Sequence, residues 1–122
     1  MLLAEIVTLL GCTELLALDG AGGRKITGCF AADLMSEVLA FSGHGPLLVT
    51  GLTNLQSVHT ADVIDAQAIL YVNGKRPDAQ VLAVARARGL PLLSTNLTMY
   101  EACGRLHRGG LPVSAKEQGT PP

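Results

Sequence analysis

Two similar stretches of the chain carry threonines at positions that could help to bind an anion. Residues 46–53, Pro-Leu-Leu-Val-Thr-Gly-Leu-Thr, return 45 positions later as residues 91–98, Pro-Leu-Leu-Ser-Thr-Asn-Leu-Thr, with six of eight residues identical. Each copy is an apolar run that ends in threonine, turns within two residues and reaches a second threonine where a helix can begin. Helix amino ends leave backbone N–H groups without partners, and such groups bind phosphates and carboxylates.

The repeated turn predicts that the amino ends of two helices point into one crevice and form a site for a small anionic ligand. The predicted ligand-binding residues are Thr50, Thr53, Asn54, Thr95, Asn96 and Thr98, with Arg24, Thr27 and Asp33 as a second set. A simpler interpretation stays open, in which threonine is merely a good helix cap and the likeness reflects two similar strand-to-helix turns.

No catalytic centre, cofactor site or metal site is recognisable in the sequence. The glycine cluster at residues 20–23 lacks the spacing of a phosphate-binding loop, because Leu18 stands where its first glycine belongs and Arg24 follows Gly23. Neither the three histidines nor the three cysteines have the spacing of metal ligands. Ser94 lacks the flanking glycines of a nucleophile elbow. We therefore expect neither a catalytic residue nor a metal or cofactor.

The elements that would position these residues alternate between strand and helix. Strands are predicted at 47–50, 68–72 and 90–94, and helices at 55–64, from Pro77-Asp78 to Gly89, and from Thr98 onward. Before them come a helix ending at Gly11, strands at 13–18 and 24–31, and a helix that Asp33 is placed to cap. This alternation is typical of βα units and predicts an α/β fold with a mainly parallel sheet.

Composition limits the range of partners and the location. The 122 residues fit one domain, predicted at 1–111 and followed by a flexible tail at 112–122. A net charge of -1 without a basic run argues against nucleic-acid and membrane partners. The odd number of cysteines and the absence of a signal peptide indicate a cytoplasmic protein. An apolar content of 48% favours a surface shared with another subunit.

Several segments together resemble the DRTGG domain family. They are residues 24–29 (Arg-Lys-Ile-Thr-Gly-Cys), 32–38 (Ala-Asp-Leu-Met-Ser-Glu-Val), the turn at 48–54, and 91–106. The family is similar to the amino-terminal domain of HPr kinase/phosphorylase and to a region of some phosphotransacetylases. The resemblance implies a three-layer αβα fold and self-association. The name-giving motif differs here, since Gly23 stands in place of aspartate and Cys29 in place of the second glycine.

These observations lead to a main hypothesis and two alternatives. The main hypothesis is a non-enzymatic regulatory or sensory module, a homodimer that binds a small anionic metabolite or nucleotide or docks on a partner protein. The first alternative is an enzyme whose site for phosphoryl or acyl transfer is assembled across a subunit interface. The kinase activity of HPr kinase is not expected, because its phosphate-binding loop is missing. The second alternative is a purely structural interaction subunit.

Overall fold

The computed structural model describes residues 1–116, which form five α-helices, five strands and one short 3-10 turn. The helices are α1 (Leu3–Leu10), α2 (Met35–Phe41), α3 (Leu55–Val63), α4 (Ala79–Ala87) and α5 (Met99–Arg108). The strands are β1 (Thr13–Leu16), β2 (Cys29–Ala31), β3 (Leu47–Thr50), β4 (Ala68–Tyr71) and β5 (Leu92–Ser94). The 3-10 turn is Ala21–Gly23.

The strands form one sheet in the order β1-β5-β4-β3-β2. Strands β2 to β5 are parallel, and β1 pairs with β5 in the antiparallel direction. The predicted α/β fold with a mainly parallel sheet is confirmed, as is the three-layer arrangement. Within residues 1–116, no helix has the length and apolarity needed to cross a bilayer.

The sheet separates two hydrophobic cores. We call the side covered by α1 and α5 the α1/α5 face, and the side covered by α2, α3 and α4 the α2–α4 face. Side chains alternate along each strand, so Leu47 and Val49 pack on the α1/α5 face and Leu48 on the α2–α4 face. Tyr71 is fully buried on the α2–α4 face, and its hydroxyl is 2.9 Å from the Ser57 hydroxyl. Burial raises the pKa of Tyr71, and the hydrogen bond with Ser57 partly opposes this.

The helix ends follow the chemistry of their sequences. Gly11 ends α1 in the left-handed conformation at φ 60°. Side chains cap the amino ends of α3, α4 and α5, from Asn54, Asp78 and Thr98 respectively. Helix α5 buries one face, on which Ala102 and Leu106 are fully buried.

The strand predicted at residues 24–31 is mostly absent, and only its last part forms β2. The backbone before β2 pairs with the start of the chain instead of with β3. Leu3 N–H donates to the Arg24 carbonyl at 3.0 Å, and Ile26 N–H donates to the Met1 carbonyl at 2.7 Å. These bonds satisfy the backbone polar groups of this segment, so no further strand is needed.

The segment predicted as a flexible tail is bound to the domain as far as the structure describes it. The N–H of Ser114 donates to the Cys29 carbonyl at 2.8 Å, and the N–H of Cys29 donates to the Pro112 carbonyl at 2.9 Å. Residues 112–116 thereby cover the outer edge of β2, which would otherwise present unpaired backbone groups. The rest of the predicted tail, residues 117–122, lies outside the described residues.

Candidate functional site

The loops that follow the four parallel strands meet at one edge of the sheet, which we call the carboxyl edge. It consists of residues 32–34, 51–54, 72–78 and 95–98. Ligands of open parallel sheets usually bind at this edge. It carries Asp33 and five residues of the first predicted set, and the sixth, Thr50, is the last residue of β3 directly before it. The edge is therefore the place to test the predicted site.

At the end of β3, the Thr50 side chain is buried and forms hydrogen bonds with neighbouring loop residues. Its hydroxyl donates to Asp33 Oδ1 at 3.2 Å and accepts from the Leu52 N–H at 3.1 Å. Asp33 Oδ1 also accepts from the Gly51 N–H at 2.7 Å. The prediction that Asp33 caps α2 is wrong, because the helix starts after Leu34 without a side-chain cap. Its carboxylate binds the neighbouring loop instead.

At the end of β5, the Thr95 side chain is buried in a similar way. Its hydroxyl donates to the Leu10 carbonyl of α1 at 2.8 Å and accepts from the Leu97 N–H at 3.3 Å. Both predicted hydroxyls thus have intramolecular partners beneath packed side chains. In this structure Thr50 and Thr95 hold the edge in place, and exposed neighbours must make any contact with a ligand.

The helices that follow the two turns do not converge. Helix α3 packs on the α2–α4 face, whereas α5 packs on the α1/α5 face. The prediction of two amino ends at one crevice is wrong for this pair. The amino end beside α3 belongs to α4, and a groove of about 340 Å³ lies between their first turns. Its lining includes the two cap residues, Asn54 and Asp78.

The cap side chains already have partners. Asn54 Oδ1 accepts from the Gln56 N–H at 3.0 Å, and Asp78 Oδ1 accepts from the Val81 N–H at 3.0 Å. Thr98 Oγ1 accepts from the Glu101 N–H at 3.2 Å. These contacts favour the simpler interpretation, in which these residues serve as helix caps. Each satisfies one of several N–H groups that a helix start leaves free.

The second predicted set is divided between the two edges of the sheet. Arg24 lies at the amino edge, where its guanidinium donates to the carbonyls of Gln67 at 2.9 Å and Gly89 at 3.1 Å. These carbonyls come just before β4 and β5. Thr27 is exposed and precedes β2. Only Asp33 of this set is at the carboxyl edge, so Arg24 and Thr27 cannot complete a site there.

Two cations at the carboxyl edge were missed by the sequence analysis. Lys75 and Arg76 are exposed in the loop between β4 and α4. The Lys75 Nζ atom lies 3.4 Å from the point where a Cβ on Gly51 would stand, as does Asp33 Oδ1. A Cβ at position 51 would be in van der Waals contact with both groups. The signal that could have found Lys75 was the Asn73-Gly74 turn, which follows β4 as the threonine turns follow β3 and β5.

The turn after β4 is fitted closely to the turn after β5. Gly74 has φ +66°, and a Cβ there would stand 2.9 Å from Asn96 Oδ1. The Gly74 N–H donates to the Thr95 carbonyl at 2.8 Å. Asn96 is exposed and Thr53 is half-buried, so both remain accessible at this edge. The positive φ at Gly74 favours glycine at this position.

The arrangement is suited to binding rather than to covalent chemistry. Its exposed polar groups are two carboxylates, two cations, three amides and one hydroxyl, from Asp33, Asp78, Lys75, Arg76, Asn54, Asn73, Asn96 and Thr98. Ser94, a nearby hydroxyl, is buried and donates to the Lys75 carbonyl at 3.0 Å. Across residues 1–116, no three His, Cys, Asp or Glu side chains are grouped so that they could hold a metal ion.

The fold and this edge define a three-layer α/β domain with a polar rim suited to a ligand or a partner, and a solved structure shares the fold. That structure contains the CBS and DRTGG domains of the regulatory region of Clostridium perfringens pyrophosphatase, complexed with its activator, diadenosine tetraphosphate. The match has a TM-score of 0.70 at 14% sequence identity and covers 88% of this chain. The chain corresponds to 46% of the length of that chain. No family model and no curated protein matches the chain.

This likeness supports a DRTGG-like fold, in agreement with the resemblance seen in the sequence. At 14% identity it is a likeness of fold alone. The nucleotide belongs to the pyrophosphatase complex, and its role there is that of an activator.

Proposed function

We propose that this chain is a non-enzymatic regulatory module that binds a small anionic ligand, such as a nucleotide, at the carboxyl edge. The observation that carries the proposal is the position of Gly51 between Lys75 and Asp33. The glycine allows the acidic and the basic side chain to approach each other closely at an edge where both are exposed. Asp33 lies on the loop that leads into α2, and Lys75 lies on the loop that leads into α4. The groove described above begins close by in sequence, at Asn54 and Asp78.

The mixture of charges at the edge favours a particular class of ligand. Lys75 and Arg76 are suited to phosphate oxygens, and charge-assisted hydrogen bonds of this kind are among the stronger ones in proteins. Asp33 accepts two hydrogen bonds through Oδ1, and its carboxylate can also accept from a ligand hydroxyl. A nucleotide or sugar phosphate has both groups, whereas inorganic phosphate lacks the hydroxyl of a sugar.

The regulatory role and the homodimer rest on separate observations. A domain of the same fold occurs in a regulatory region that was solved with an activator nucleotide. The α2 helix and the residue before it present Leu34, Leu39 and Phe41 to solvent, with Phe41 55% exposed. Such apolar side chains on one element favour association between two copies of a cytoplasmic chain.

Isothermal titration calorimetry with AMP, ATP, diadenosine tetraphosphate and ribose 5-phosphate tests the proposal. Wild-type protein should bind at least one of these compounds. The Lys75→Ala/Arg76→Ala variant should bind it at least about tenfold more weakly, because each lost charge-assisted hydrogen bond contributes about 1.5–3 kcal/mol. Native mass spectrometry of the untagged protein would report the subunit number and any retained ligand.

A matched control removes the same charge elsewhere. Arg86 and Arg108 are exposed near the carboxyl ends of α4 and α5, at the amino edge. The Arg86→Ala/Arg108→Ala variant should bind like wild type. Equal weakening in both variants would indicate a general effect of charge and would contradict the site. If wild type binds none of the compounds, the ligand proposal fails and docking on a partner protein becomes the better explanation.

The enzyme alternative can be tested in the same samples. Phosphorus NMR after incubation with the four compounds would detect phosphoryl transfer or hydrolysis. We expect unchanged spectra, because the hydroxyl that donates to the Asp33 carboxylate, that of Thr50, is fully buried and cannot reach a substrate. Turnover that disappears in Lys75→Ala/Arg76→Ala would contradict the non-enzymatic assignment.

A further inference from the structure

We propose that Cys29 and Cys103 form a reversible dithiol–disulfide couple that can link the edge strand β2 to helix α5. The two residues are 74 positions apart in the sequence. The fold brings their side chains together on the α1/α5 face, away from the groups of the carboxyl edge. This inference does not depend on the proposed ligand.

The two thiols share one cavity and contact each other. The cavity has a volume of about 280 Å³, and Cys29, Cys103 and His107 are its titratable lining residues. Both cysteines are half-buried and pack against the same hydrophobic core. The two thiols are close enough for each to shift the pKa of the other. The pair is therefore partly open to a small reagent while both side chains line the same cavity.

The secondary structure explains this placement. Cys29 is the first residue of β2, and alternation along the strand turns its side chain toward α5, whereas Phe30 faces the opposite side. Cys103 lies on the buried stripe of α5, next to Ala102. Both backbones belong to regular elements, so the two sulfur atoms are held near each other by the fold itself.

The two thiols differ in reactivity. The hydrogen bond from Cys29 lowers the pKa of Cys103 to about 7, although burial acts in the opposite direction. The same hydrogen bond, together with burial, raises the pKa of Cys29. Since the thiolate is the nucleophile in thiol–disulfide exchange, Cys103 attacks first and Cys29 acts second.

The oxidant we name is a small-molecule disulfide, RSSR. The Cys103 thiolate attacks one sulfur of RSSR, which breaks the S–S bond, forms a Cys103–SR mixed disulfide and releases RS⁻. Cys29 then loses its proton and attacks the Cys103 sulfur, which releases a second RS⁻. Both RS⁻ groups take up protons, so the protein loses two hydrogens and two electrons while RSSR is reduced to two RSH.

The third cysteine provides an internal control. Cys12 lies between α1 and β1. Burial and the nearby Glu14 carboxylate raise its pKa to about 11. At neutral pH it is a protonated thiol, so it should react slowly with disulfides.

The experiment is oxidation of the full chain by glutathione disulfide, followed by intact mass and peptide mapping. We expect wild type and Cys12→Ser to lose the mass of two hydrogens and to yield a cross-linked peptide pair containing residues 29 and 103. Cys29→Ser should stop at a stable glutathione adduct on Cys103, because the second thiol is missing. Cys103→Ser should react far more slowly. Dithiothreitol should reverse every product.

Two outcomes would overturn the proposal. One is a wild-type protein that accumulates only a mixed disulfide on Cys103. The other is a cross-link that involves Cys12. Thermal unfolding adds a readout, since a link that closes so long a loop should raise the Tm of the oxidised protein by about 10 °C. Cys29→Ser treated in the same way should show no comparable rise, and an equal rise there would contradict the cross-link.

Discussion

The two threonine turns are nearly identical in sequence, yet they lie on opposite faces of the sheet. In the first copy, Leu47 packs on the α1/α5 face and Leu48 on the α2–α4 face. In the second copy the faces are exchanged, with Leu92 on the α2–α4 face and Leu93 on the α1/α5 face. The two copies have the same pattern of apolar residues but not the same orientation.

The pairing register explains the exchange. Leu48 pairs with Ile69 of β4, and Ile69 pairs in turn with Leu92. The second copy is therefore shifted by one residue across the sheet relative to the first. Because side chains alternate along a strand, a shift of one residue moves every side chain to the other face.

The shift also determines where the following helices lie. By the same alternation, Thr50 faces the side of Leu48 and Thr95 faces the side of Leu93. Each helix packs on the face to which the threonine before it points, α3 on one side and α5 on the other. The same turn occurs twice in this chain. Because the two copies face opposite sides of the sheet, the helices that follow them start on different sides.

The largest expected effect comes from truncating Leu48 and Leu93, which occupy the same position in the two copies of the turn. Leu48→Ala and Leu93→Ala should each lower the free energy of unfolding by about 2–5 kcal/mol, because both side chains are fully buried. Hydrogen exchange should then separate them, with lost protection in α2, α3 and α4 for Leu48→Ala and in α1 and α5 for Leu93→Ala. If both variants loosened the same helices, the assignment of faces would be wrong.

The two threonines should differ in their contribution to stability. Thr95→Val leaves the Leu10 carbonyl without its side-chain donor and should cost about 2 kcal/mol. Thr50→Val should cost about 1 kcal/mol, because Asp33 keeps the Gly51 N–H as a partner. Urea unfolding measures both, and Thr53→Val at a half-buried site should stay within about 0.5 kcal/mol of wild type. A larger loss for Thr50→Val would reverse the comparison.

Double-mutant cycles test whether Thr50 and Thr95 differ in their coupling to Asp33. Asp33→Ala and Thr50→Val should show a coupling of about 0.5–1 kcal/mol, since their side chains are hydrogen-bonded. Asp33→Ala and Thr95→Val should be additive within about 0.5 kcal/mol, because Thr95 has a different partner. Urea unfolding of the three single variants, the two double variants and wild type provides the values, and equal coupling in both cycles would indicate a shared network.

The smallest expected effect is a loss of stability at alkaline pH, caused by the Cys12 thiol near the Thr95 turn. Cys12 belongs to the α1–β1 connection next to Leu10, and its pKa in the folded protein is about 11 against an ordinary value of 9. Because the pKa is raised in the folded protein, the protonated Cys12 thiol contributes to stability below about pH 9. This contribution is lost as the pH rises from about 9 to 11. Because the thiol is partly exposed, the loss should be below about 1 kcal/mol.

The measurement compares wild type with Cys12→Ser, which has no thiol to titrate. Urea unfolding across this pH range should show a steeper loss of stability for wild type than for the variant. Parallel curves would mean that Cys12 is in a similar environment in the folded and unfolded chain. No such thiol adjoins the Thr50 turn, where the buried ionisable neighbour is Tyr71.

Much of the second half of the fold could be predicted from its sequence. The bounds of β3 match the prediction, and α3, β4, α4 and α5 lie within one or two residues of it. The bounds of these elements are determined by cap residues and by the spacing of apolar residues, both of which can be read from a few neighbouring positions. The segment at 24–28 could not be predicted in this way, because its backbone binds Met1 and Leu3, which are distant in the sequence.

The candidate site was predicted only in part for the same reason. The carboxyl edge and the exposed Asn54 and Asn96 followed from the βα order. Three contacts depend on residues that are distant in the sequence. They are the hydrogen bond from Thr95 to the Leu10 carbonyl, the hydrogen bond from the Gly51 N–H to Asp33, and the approach of Lys75 to Gly51. Arg24 precedes β2 and therefore lies at the amino edge, where its guanidinium binds the carbonyls of Gln67 and Gly89.

The sequence by itself determined the order of strands and helices from β3 onward, the caps of α3, α4 and α5 and the mainly parallel sheet, because these depend on side-chain periodicity and turn chemistry within short windows. Only the tertiary structure decided which face each threonine turn occupies and which side chains meet at the carboxyl edge. The physical reason is that register is fixed by pairing with β4, and a shift of one residue exchanges the two faces of a strand.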